Sequence, residues 1–99
     1  MPEDPLKTFE SLDPKFLKLV RQTEDFVLAD GALPSKYKIL IGMCVDAING
    51  ETEGVTALAG FAMKAGAKKE EVAEALRAAY FFSGVSCVYT AAAALNKIA

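Results

Sequence analysis

The chain has no histidine, no tryptophan and only two cysteines among its 99 residues. Without imidazole there is no histidine to carry a proton or hold a metal, so such work falls to carboxylates, tyrosines, lysines or thiols. Cys44 and Cys87 stand too far apart in the sequence for a zinc or redox motif, and neither a metal nor a cofactor is expected. Long apolar runs are also missing. Apolar residues make up 53% of the chain, above the roughly 45–50% of ordinary globular domains, yet they never gather into the stretch of about 20 that a membrane span needs. No cationic excess exists either: 11 Lys and Arg face 13 Asp and Glu, for a net charge of −2. With no basic block to neutralise phosphates, nucleic acid is not an expected partner. The first ten residues carry two prolines and no signal-peptide core, so a reducing cytoplasm is the expected compartment. Finally, no window alternates with the period of a half-buried strand.

What is present is helical spacing with clear punctuation. Residues 1–11 show no periodicity, and Pro2 and Pro5 obstruct a helix there, so they read as a flexible or extended arm before a single domain over 12–99. Asp13 is a suitable N-cap and Pro14 a suitable first helical residue, followed by the stripe Phe16, Leu19, Val20, Thr23, Phe26, Val27 up to Asp30-Gly31. A second helix opens at Pro34-Ser35, with Tyr37, Leu40, Ile41, Cys44, Val45 and Ile48 as its stripe, and ends at Asn49-Gly50. The third runs from Glu51 or Thr52 to Gly66 with Val55, Leu58, Ala59 and Ala62 on one face, while Gly54, Ala57 and Gly60 keep another face thin. Glu70 and Glu71 suit the positive end of a fourth helix bearing Val72, Ala75, Leu76, Ala79 and Tyr80, which Ser83-Gly84 ends or kinks. The last segment carries two apolar stripes, Val85, Val88, Ala92, Leu95 and Cys87, Ala91, Ala94, Ile98, and so needs two packing partners. The expected fold is an all-α bundle of about five helices. So much apolar surface on so short a chain also calls for cover from another subunit.

Asn49-Gly50, a small-residue helix closing on Ala62-Met63-Lys64-Ala65-Gly66-Ala67, then Glu70-Glu71-Val72-Ala73-Glu74-Ala75-Leu76 and Phe82-Ser83-Gly84-Val85, together resemble the carboxymuconolactone decarboxylase and alkylhydroperoxidase D-like family. Leu33-Pro34-Ser35 and Lys38-Ile39-Leu40-Ile41 match the preceding family helix, so the likeness covers about residues 15–98. The resemblance implies an alkylhydroperoxidase D-like fold that assembles into a homo-oligomer, a trimer or hexamer. In the peroxidase branch it also implies a Cys-x-x-Cys pair, a histidine four residues further on, and a glutamate from the helix before. Those places fall here on Glu51, Gly54, Leu58 and Ile39. None holds the family's side chain. A peroxidatic thiolate and its resolving thiol need sulfur at both helix-start places, and Glu51 and Gly54 supply none.

Other chemistry has to be sought residue by residue. Glu51 reads first as a helix-start acid facing water and second as a lone general acid or base; Glu53 lacks even a motif place. Asp46, beside the apolar stripe, reads as a solvated flank or the edge of a pocket. Cys44 and Cys87 are the only candidate nucleophiles, and both also fit a core. Ile39, Met43, Leu58, Phe61 and Tyr80 are candidates to line a pocket for an apolar small molecule, with Phe81, Phe82 and Tyr89 adding aromatic bulk nearby in the sequence. The reading that results is a family member without the family's peroxidatic and proton-relay residues, binding a small molecule or serving in assembly. The alternative is a divergent peroxidase- or decarboxylase-like oxidoreductase using Cys44 or Cys87, with Glu51 or Tyr80 assisting.

Overall fold

The computed structural model describes residues 4–99, and six α-helices and one short 3-10 turn organise them, with no strand among the described residues. The arm expected over residues 1–11 is instead helical from Pro5 onward. Asp4 accepts the Leu6 N–H at 3.0 Å and caps the 3-10 turn Pro5–Thr8, where Pro5 stands at a helix start and so leaves no hydrogen bond unmade. That turn runs directly into α1 (Phe9–Leu12). Residues 1–3 of the expected arm lie outside the described residues. Asp13 then separates α1 from α2 (Pro14–Leu28) and accepts the Phe16 N–H at 3.1 Å, as its place before Pro14 predicts.

The remaining helices are α3 (Ser35–Ile48), α4 (Thr52–Lys64), α5 (Lys69–Ser83) and α6 (Ser86–Leu95). Two connections are built alike. After α3, Glu51 N–H donates to Asp46 C=O (2.8 Å) and Gly50 N–H to Ala47 C=O (3.3 Å), with Gly50 at φ 77°. After α4, Ala67 N–H donates to Ala62 C=O (2.9 Å) and Gly66 N–H to Met63 C=O (3.0 Å), with Gly66 at φ 108°. Both are Schellman turns, in which a glycine takes the left-handed residue while orphan carbonyls find partners. The α5 start is closed by Glu71, whose Oε1 accepts the Lys68 N–H at 2.9 Å.

The core lies between α3, α4, α5 and α6, and consists of Leu40, Met43, Ala47, Val55, Ala59, Ala62, Ala67, Val72, Ala79, Cys87 and Ala94. Most are alanines, so these helices pack close. The α4 face predicted from spacing is the buried one. On α3 the prediction is displaced: Leu40, Met43 and Ala47 are buried, whereas Ile41, Val45 and Ile48 of the expected stripe are exposed. The reason is that α3 is apolar on nearly every side, so packing against α4, α5 and α6 and not its own period selects the buried face, with Leu58 of α4 in van der Waals range of Gly42.

The two N-terminal helices contribute nothing to the core. No residue of α1 or α2 is buried. A polar joint ties α2 to α3 instead: Lys38 Nζ donates to the Val27 and Ala29 carbonyls at 2.8 and 2.7 Å, and Asp30 Oδ1 accepts the Ser35 N–H at 2.7 Å. The radius of gyration, 14.4 Å, accordingly exceeds the roughly 12.6 Å of a compact chain of this length.

Candidate functional site

The four family places gather where α3 and α4 pack as an antiparallel pair. Their register is set by two close approaches, Asp46 over Gly54 and Gly42 under Leu58. A Cβ at Gly54 would lie 2.8 Å from Asp46 Cγ, closer than side chains approach, so the missing side chain is what lets the Asp46 carboxylate sit against the first turn of α4. There the free N–H groups and helix dipole favour a negative charge. Asp46 is therefore half-buried at the helix start. Glu51, next to it in the α4 cap, is exposed and caps nothing with its side chain.

One turn further in, the site turns apolar. Ile39 and Leu58 are partly buried and pack against the core, and Met43 between them is fully buried. No polar side chain is buried there to relay a proton. Phe61, level with Ile39 in the same register, is 55% exposed. Thus Met43 is core and Ile39 and Leu58 pack against it, while Phe61 and Tyr80 are exposed.

The cysteines are brought near each other by the packing of α3 and α6. Cys44, half-buried on α3, points its Sγ at the Ala75 C=O of α5 (3.5 Å). Burial raises its pKa above the ordinary 9.0, and the nearby Cys87 raises it further. A thiol so placed is mostly protonated at neutral pH and a weak nucleophile. Cys87 is 1% exposed, inside the core at the start of α6. The two are unbridged thiols.

A cavity opens where spacing alone did not place one. α5 and α6 diverge into a trough of about 700 Å³ lined by Val72, Leu76, Tyr80, Val88, Leu95 and Ile98, with Lys69 and Arg77 at its edge. Of the candidate pocket residues only Tyr80 belongs to it. The doubled stripe of the last helix was a partial sequence signal: Cys87 and Ala94 fill the core and Val88, Ala92 and Leu95 line the trough, but Ala91 and Ile98 of the other stripe line it too and Val85 is exposed. Among the described residues neither Lys69 nor Arg77 has an ion-pair partner. No cluster of ligating side chains that could hold a metal ion occurs among the described residues. None of their helices is long and apolar enough to cross a membrane.

Comparison with known proteins adds a family. The model of the carboxymuconolactone decarboxylase family matches residues 14–97, which is α2 through α6 and nearly all of the described chain. No curated protein and no solved structure matches.

Proposed function

The chain belongs to the carboxymuconolactone decarboxylase family, and from that membership we propose that it is a non-catalytic member that binds an apolar small molecule bearing an acidic group. The trough between α5 and α6 carries this reading: apolar walls with two cations in its lining, Lys69 and Arg77, that have no ion-pair partner among the described residues. Such a lining suits a fatty or aromatic carboxylate, its body desolvated along Leu76, Tyr80 and Leu95 and its charge held near the rim. The filling of the Ile39 and Leu58 places by packed apolar side chains supports the absence of the family's proton relay.

The test is a titration with a medium-chain fatty acid and with the alcohol of the same length, followed by Tyr80 fluorescence or calorimetry. The acid binds more tightly than the alcohol, and Arg77→Ala removes about tenfold of that preference, the size of one exposed charged contact. Leu76→Asp abolishes both. If neither compound binds, or if Arg77→Ala weakens the two equally, the reading is wrong.

A second reading, a divergent oxidoreductase using Cys44 or Cys87, draws support from the nearness of the two thiols. The raised pKa of Cys44 and the depth of Cys87 weigh against it. Turnover of an organic hydroperoxide with a dithiol, lost in Cys44→Ser, would establish it in place of the first.

A further inference from the structure

The charges of the trough sit at two separate places along it. Lys69 and Arg77 both belong to α5, eight residues apart, and at about 1.5 Å per residue their Cα atoms stand roughly 12 Å apart along the helix axis. Val72, Ala73 and Leu76 lie between them on the same wall. The other wall adds no charge, because α6 has no charged side chain along its whole length. No acidic side chain lines the trough. Of the acids on α5, Glu71 is taken up by Lys68 N–H, Tyr37 and Lys36, and Glu70 and Glu74 are outside the lining.

Two cations with an apolar stretch between them set a condition on what binds. A ligand with one carboxylate pairs with one cation and lays its apolar body against the stem of the other, which loses water and gains no partner. A second anion at the far end removes that cost and adds a charge-assisted contact. Spacing then fixes length. An extended chain advances about 1.2 Å per bond, so the roughly 12 Å between the two positions is spanned by about ten bonds, or about eleven carbons counted from carboxyl to carboxyl. The flexible stems of lysine and arginine widen this by a few carbons either way.

We infer that the trough is a ruler for linear α,ω-dicarboxylic acids of about nine to thirteen carbons. Arg77 grips one carboxylate with its planar fork and Lys69 meets the other as a point charge. The methylene chain between them is desolvated along Val72, Leu76 and Leu95. Such selectivity presupposes the apolar acid site proposed above and adds to it a second anion and a length.

Calorimetric titration with the diacids from hexanedioic to hexadecanedioic acid, each beside the monoacid of equal length, tests the ruler, with helicity by circular dichroism as the folding control. Undecanedioic acid binds about tenfold more tightly than undecanoic acid, the size of one added charged contact. Hexanedioic acid, too short to reach both cations, has no such advantage over hexanoic acid. Lys69→Ala, at an exposed position, removes the tenfold, so that the two eleven-carbon acids bind alike. Combining Arg77→Ala with Ala73→Arg brings the cations to four residues apart, or roughly 6 Å. The length of greatest diacid advantage then shortens by about five carbons. Equal binding of undecanedioic and undecanoic acid to the wild type, an advantage kept in Lys69→Ala, or an optimum that stays in place when the cation moves would overturn the ruler and leave the apolar acid site standing. If no acid of either kind binds, both fall.

Discussion

Gly54 and Asp46 form the most informative pair in the molecule, and neither reads clearly alone. From the sequence, Gly54 is a blank in a motif and Asp46 an acid beside an apolar stripe; only the α3–α4 register shows that one makes room for the other. A double-mutant cycle exposes this. Gly54→Ala alone forces Asp46 to rotate away and costs about 1 kcal/mol despite the better helix propensity of alanine. In an Asp46→Ala background the same change stabilises by about 0.5–1 kcal/mol, and denaturant unfolding reads the difference in sign. Glu71 is the other residue whose partners only the fold supplies. It accepts hydrogen bonds from Lys68 N–H and from Tyr37 Oη (3.0 Å) and pairs with Lys36 (3.5 Å), and these hold its pKa below the ordinary 4.5, the Lys68 bond foremost. With a folded pKa below the unfolded one, the stabilisation is complete above about pH 4.5 and is lost as pH falls through the folded value. Between pH 6 and 3 the wild type should lose more thermal stability than Glu71→Gln, which starts lower and varies less.

At the scale of elements, the ends were legible and the faces less so. Asp13-Pro14, Asn49-Gly50, Gly66 and Gly84 mark helix ends because caps and left-handed residues are local chemistry. The inward side of α3 is a tertiary choice. That helix is apolar on nearly every side, so its packing against α4, α5 and α6 selects the buried one, a fact absent from its own periodicity. The helix missed over Phe9–Leu12 is one turn long, too short for any period to register. The trough was half legible, since the double stripe of α6 announced two surfaces without saying that one stays open. The α2–α3 joint rests on polar bonds, so it is the easiest connection to loosen. Lys38→Ala leaves the Val27 and Ala29 carbonyls without their cation, costing about 1 kcal/mol locally. Amide exchange of α2 should quicken about fivefold or more while that of α4 is unchanged.

Over the whole molecule, the family frame and the distribution of apolar surface say different things about one chain. α3 to α6 form a core of small residues closed by two like turns, whereas α1 and α2 carry large apolar residues outward. The family match begins within α2 and includes it, so the helix that buries nothing in its own chain still belongs to the shared frame. The polar joint at Lys38 has a kinetic meaning as well. Because α2 has no buried residue and meets α3 through polar bonds, hydrophobic collapse of the α3–α6 core does not carry it along. Refolding followed by stopped-flow circular dichroism should therefore show two phases, a main gain in helicity as the core forms and a smaller later one as α2 docks, and Lys38→Ala should slow or remove only the second.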